Sequence, residues 1–188
     1  MSEIKNSPTI EEISSILKSV IGNERATYIS VPITTGQRFL KWYEETGKNL
    51  SKEDYGKVHF KEVIQPNLED AQDFITHIRK SDECFVIEPT SLNISGWRQE
   101  DYHDFWETII KLYVDKVYFL DGWYLSKGCS LEYLASCRKR IEIFDQKKKP
   151  LSIKLGTALI KKGIGKYERL GLDVKFQTKI FAELSKLM

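Results

Sequence analysis

The chain has 188 residues, a length that suits one domain with terminal additions. Its 29 Lys and Arg nearly balance 27 Asp and Glu, and a net charge of +2 gives no general attraction to nucleic acid or to an anionic membrane surface. Hydrophobic residues (41%) and aromatics (12%) suffice for a core, while no apolar run reaches the length that spans a bilayer.

The opening stretch MSEIKNSPTIEE is polar and acidic and is not expected to be a signal peptide. Thr9 stands three residues before Glu12, a capping box, and predicts an added N-terminal helix within residues 1–24. ATYISV (26–31), stopped by Pro32, predicts a first strand, and GQRFLKWYEETG a helix ended by Gly47. The stretch 50–65 fits no single element. NLEDAQDFITHIRKSD predicts a helix opening at Asn67 and Asp70. A second strand follows at 84–88. Next comes an amphipathic helix with Tyr102, Phe105, Trp106, Ile109 and Ile110 on one face, and then a third strand at 116–120. CSLEYLASCRKR predicts a helix, IEIF (141–144) a fourth strand, and two helical stretches close the chain.

Strands alternating with helices predict an α/β fold: a Rossmann-like or flavodoxin-like, doubly wound parallel sheet of four to five strands with extra N- and C-terminal helices. Residues 25–146 form the core of a single domain 1–188, and 150–188 a C-terminal extension. Those last helices are expected at the sheet edge or in a homodimer. In such sheets ligands bind beyond the carboxyl ends of the strands. Three loops should meet there, VPITTG, PTSLNISGW and DGWYLSKG, all carrying Gly, hydroxyl or aromatic groups.

The third loop runs into SKGCSLE (126–132). A helix starting near Gly128 offers unpaired backbone N–H groups and the positive end of its dipole, and Ser126 adds a hydroxyl. Glu132, one turn in, leans back toward that cradle. The same spacing also fits an ordinary helix start with a stabilising first-turn Glu. Cys129 sits where a thiol's pKa would fall, but His59, His77 and His103 show no motif with it. The histidines read as surface or core residues, and the three cysteines lack metal-ligand spacing, consistent with a reduced, cytoplasmic setting.

Two segments carry a resemblance. Tyr28-Ile29-Ser30-Val31-Pro32-Ile33-Thr34 with Gly36, and Gly122-Trp123 with Ser126, Gly128 and Glu132, are similar to the motifs of nucleoside 2-deoxyribosyltransferase-like proteins. The resemblance covers residues 26 to 145. It implies that Glu132 attacks the anomeric carbon of a nucleoside or nucleotide while the base leaves. It also implies a substrate pocket drawn from Tyr28, Ser30, Pro32, Gly36, Gly122, Trp123, Ser126 and Gly128. Val31 departs from the family, which has Gly there. The family's second acidic residue has no clear match; Glu107 has about the right spacing, and Asp104 lies one turn earlier. No cofactor, membrane or nucleic acid is expected, and a homodimer is. WYLSKGCSLE also looks like the glutamate region of Toll/interleukin-1-receptor-type NADases. A non-catalytic sensor of a nucleotide-derived ligand is a further alternative.

Overall fold

The computed structural model describes residues 8–22, 25–82 and 84–188. Residues 1–7 and 23–24 of the expected N-terminal extension lie outside this range. Four strands form one parallel sheet: β1 (Ala26–Ser30), β2 (Phe85–Ile87), β3 (Val114–Phe119) and β4 (Glu142–Asp145), in the order β2-β1-β3-β4. Tyr28 on β1 is flanked by Ile87 of β2 and Val117 of β3. The chain first moves outward from β1 to β2, then crosses back to β3, so the strand order reverses between β1 and β3. This is the doubly wound, flavodoxin-like arrangement that the alternating pattern predicts, and its crevice lies at that reversal.

Side chains alternate across the sheet. Ile29 and Val31 join Val86 and Tyr118 on one face, where Ala71, Ile75 and Ile78 of helix α4 (Gln65–Ser81) cover them. Tyr28, Val117 and Phe119 lie on the other face. That face is covered by α5 (Gln99–Tyr113) through Phe105, Ile109 and Ile110, and by α6 (Lys127–Lys139) through Tyr133 and Leu134. The five α5 residues assigned to one stripe by periodicity are all buried or half-buried.

Three readings need correction. The undecided stretch 50–65 is helical from Lys52, and the helix expected to open at Asn67 has already begun. The chain runs from α3 (Lys52–His59) through a π-helical segment, Phe60–Ile64, straight into α4. Pro66 explains the π segment: it has no N–H to donate, and its ring would strike the carbonyl four residues back in a regular helix. Widening the turn makes room, with the Gln65 amide donating to the Phe60 carbonyl. Asn67 is therefore no cap; its side-chain amide donates to the carbonyls of Ile33 (2.7 Å) and Thr35 (3.2 Å), tying down the loop after β1.

The third correction concerns the sheet-edge placement expected for the C-terminal helices, α7 (Ile153–Arg169) and α8 (Lys175–Ser185). They form a further layer against α6, and Ile160, Tyr167, Ile180 and Leu184 belong to the main core cluster. The Tyr167 hydroxyl donates to the Leu125 carbonyl at 2.7 Å, and Arg138 of α6 pairs with Glu183 at 2.8 Å. Gly156 permits the close approach: a Cβ there would lie 2.2 Å from the Tyr133 ring. Each fully buried Ile or Leu in this layer contributes about 1.5–3 kcal/mol. The helix ahead of β1, α1 (Ile10–Ile21), starts at the expected capping box of Thr9 and Glu12. Among the described residues no helix is long and apolar enough to cross a membrane.

Candidate active site

β1 presents Tyr28 and Ser30 to the face that α6 covers, because they are two residues apart on a strand. Glu132, projecting from the second turn of α6, lies above them. The Tyr28 hydroxyl donates to Glu132 Oε1 at 2.8 Å, and the Ser30 hydroxyl donates to Oε2 at 2.5 Å. Tyr28 and Ser30 are fully buried, and Glu132 is only 8% exposed. Burial pushes the Glu132 carboxyl above its ordinary value of 4.5, and the bonds from Ser30 and Tyr28 pull it part of the way back. The same burial, with the neighbouring carboxylate, holds the Tyr28 phenol well above its usual range, so it remains a proton donor.

The exposed edge of Glu132 borders a cleft of about 350 Å³. The wall from the β1 loop is Val31, Ile33, Thr34 and Thr35; the start of α6 supplies Ser126, Lys127, Gly128 and Cys129. The remaining wall is Pro89 together with Gln99, Tyr102, His103 and Trp106 of α5. Ser126 is the N-cap of α6, its Oγ accepting from the Cys129 amide at 3.4 Å, which leaves its own proton free to turn toward the cleft. The Lys127 and Gly128 amides are in the first turn, where no intrahelical carbonyl is in reach. Tyr102 donates to the Ile94 carbonyl (3.3 Å) and accepts from the Ile94 amide (2.8 Å), fixing the loop after β2.

Of the residues expected to surround one cavity, Ser126, Gly128 and Glu132 line this cleft, and Tyr28 and Ser30 form the support beneath Glu132. The others lie elsewhere. Pro32 faces a separate cleft of about 470 Å³ on the α4 side, beside Arg38, Asn67 and Asp121. Gly36 (φ 92°) and Gly122 (φ 79°) pack against each other's loops. A Cβ on Gly36 would lie 3.2 Å from Pro32, and one on Gly122 3.2 Å from the Gln37 amide. Their missing side chains let the loops after β1 and β3 meet, not a ligand approach. Trp123 is 3% exposed and packs on Tyr133 (ring centroids 4.5 Å) and Phe119 (4.8 Å), so it is a core residue. Glu107 pairs with Lys111 at 2.6 Å and Asp104 is exposed; neither lines the cleft. Trp97 donates to the Pro8 carbonyl at 2.9 Å and packs edge-on against Tyr102 and Phe105, as a core aromatic does.

Cys129 does not have the lowered thiol pKa that its place at a helix start suggests. Burial, then the adjacent Glu132 charge, pushes it up to about 12, so the group stays a protonated thiol. His103, which carries no motif in the sequence and reads there as a surface or core residue, lines the cleft; only the packing of α5 against α6 brings it there. Tyr102 and Trp106 reach the cleft from the same helix, and the apolar stripe of α5 was the one signal in the sequence that pointed to them. His59 instead stacks on Trp42 (5.0 Å) and bonds the Thr34 carbonyl, and His77 is exposed. Among the described residues no group of three His, Cys, Asp or Glu side chains is placed to hold a metal.

The fold and the buried, hydroxyl-bound carboxylate define an α/β protein with an acidic site at its topological switch point. No protein-family model, curated protein or solved structure matches the chain.

Proposed function

We propose that the protein cleaves the N-glycosidic bond of a nucleoside or nucleotide, or exchanges its base, with Glu132 as the nucleophile. One observation carries the reading: a single carboxylate stands at the inner side of a switch-point cleft, each oxygen held by its own buried hydroxyl. Hydroxyl donors aim the carboxylate and favour its ionised form, while burial keeps water from solvating it. That combination suits attack on an anomeric carbon as positive charge develops there.

The rest of the cleft fits such a substrate. The first-turn amides of α6, the Ser126 hydroxyl and the Lys127 ammonium suit a sugar hydroxyl or a 5′-phosphate. Tyr102, Trp106 and Ile33 offer apolar and aromatic surface for a base.

The test is a panel of nucleosides, nucleoside 5′-monophosphates and NAD, scored for free base by chromatography. Base release from a nucleoside or monophosphate supports the reading, and release of nicotinamide alone moves the substrate to NAD. If nothing is cleaved while a nucleotide raises the melting temperature, the cleft is a sensor's and Glu132 is not a nucleophile.

A further inference from the structure

An N-glycosidase needs more than a nucleophile. A purine or pyrimidine leaves as an anion unless a proton reaches it, and the water that later frees the sugar must lose one. The cleft contains five side chains able to carry a proton: Tyr102, His103, Lys127, Cys129 and Glu132. Four are committed elsewhere. Glu132 is the nucleophile of the proposed reaction. Cys129 is held as a thiol with a pKa of about 12. The Tyr102 hydroxyl is bound to the Ile94 backbone, and the Lys127 ammonium is the proposed partner of the sugar or 5′-phosphate.

We propose that His103 is the general acid and base of this cleft, giving its proton to the departing base and recovering one from the attacking water. The inference rests on the reading of Glu132 as the nucleophile. His103 Nε2 lies over the first turn of α6; a Cβ built on Gly128 would lie 3.8 Å from it, in ordinary van der Waals contact. Gln99, one turn back on α5, places its side-chain amide 3.1 Å from the same nitrogen, where its N–H donates to the neutral imidazole and, with the amide turned over, its oxygen accepts from the imidazolium; Phe176 of α8 packs on the ring at 5.8 Å. The imidazole thus lies among α5, α6 and α8 and lines the cleft.

The steps balance. In the first, a carboxylate oxygen of Glu132 bonds to the anomeric carbon, the carbon–nitrogen bond breaks, and the electron pair left on the base takes the proton of the His103 imidazolium. In the second, water bonds to the anomeric carbon and the sugar–carboxylate bond breaks. Its electron pair returns to Glu132, and the water's proton passes to the neutral imidazole. The cycle ends with both residues as they began.

The groups facing His103 set the pH range. Burial lowers its pKa below the ordinary 6.5; Glu100 and Asp104 oppose this, and Lys127 adds to it. Glu132 must be ionised and its pKa is raised above 4.5. Activity therefore falls on the acid side as Glu132 protonates and on the alkaline side as His103 loses its proton.

The experiment measures pH–rate profiles of wild type and His103→Gln on a purine nucleoside 5′-monophosphate and on NAD, whose nicotinamide leaves uncharged without a proton. In the first turnover His103→Gln should lose about 10²–10³-fold in purine release, with a markedly smaller loss in nicotinamide release, and its purine profile should lose the alkaline limb. Added imidazole should restore part of the rate of His103→Ala, which separates lost proton transfer from lost packing. A His103→Gln protein with the wild-type rate and alkaline limb overturns the assignment while leaving the role of Glu132 intact. A wild type that releases no base from either compound overturns both.

Discussion

Replacing Glu132 by Gln should stabilise the protein while abolishing its proposed activity. The carboxyl is buried and its pKa is raised, so burial outweighs the two hydroxyl bonds that favour the charge. Glutamine has the same shape. Its carbonyl can accept from one hydroxyl, and its amide can donate to the other once that hydroxyl turns. Two bonds then weaken from charge-assisted to neutral strength, a loss of about 1 kcal/mol each. Against this, removing a buried charge relieves several kcal/mol of desolvation. The net gain is about 1–2 kcal/mol near neutral pH, a rise of roughly 2–8 °C in Tm for a chain of this size. The pH dependence follows from the direction of the shift. The native state keeps the Glu132 proton above the pH at which the unfolded chain loses it, so wild-type stability falls as pH rises through the interval above 4.5. Below that interval both proteins carry an uncharged side chain and the difference closes. Paired thermal melts at about pH 8 and about pH 4 read this directly, and base release on the same samples should drop on the order of 10⁴-fold. A Gln variant that melts below wild type at about pH 8 would show that the hydroxyl bonds outweigh the buried charge.

Other outcomes follow from neighbouring contacts. Tyr28→Phe removes a bond that favours ionised Glu132, so the acid limb of the pH–rate profile should move to higher pH; an unmoved limb would mean the 2.8 Å bond has no hold on the carboxylate. Gly156→Ala, normally helpful in a helix, should instead destabilise by about 1–3 kcal/mol because the new methyl meets Tyr133; denaturant melts decide it. Gln177 is 2% exposed and its amide has no hydrogen-bond partner, so Gln177→Met should raise the denaturation midpoint, by about 1–2 kcal/mol in stability. A thiol alkylating reagent in mildly alkaline solution should label exposed Cys84 and spare Cys129; mass mapping that finds Cys129 labelled first would contradict its raised pKa.

The order and type of most elements were legible in the sequence, because these depend on local signals. Short β-branched runs stopped by Pro or polar residues mark the four strands, and the Thr9–Glu12 box marks the start of α1. Apolar spacing on α5 identifies its buried face. The sequence also showed Ser126, Gly128 and Glu132 as one unit, since a single helix start sets their relation. The π segment was hidden because Pro66 reads as a boundary, and only the tertiary setting makes the helix run through it. Contacts between distant segments were equally out of sight. Tyr28 and Ser30 reach Glu132 across more than 100 residues of chain. Whether Gly122 and Trp123 serve a ligand or the core depends on which side of the loop faces inward. Sequence spacing within the loop is the same in either case. His103 carries no motif at all; the docking of α5 on α6 puts its imidazole over Gly128. The sequence placed a carboxylate at a helix start; tertiary packing supplied its hydroxyl partners, its burial and a titratable neighbour across the cleft.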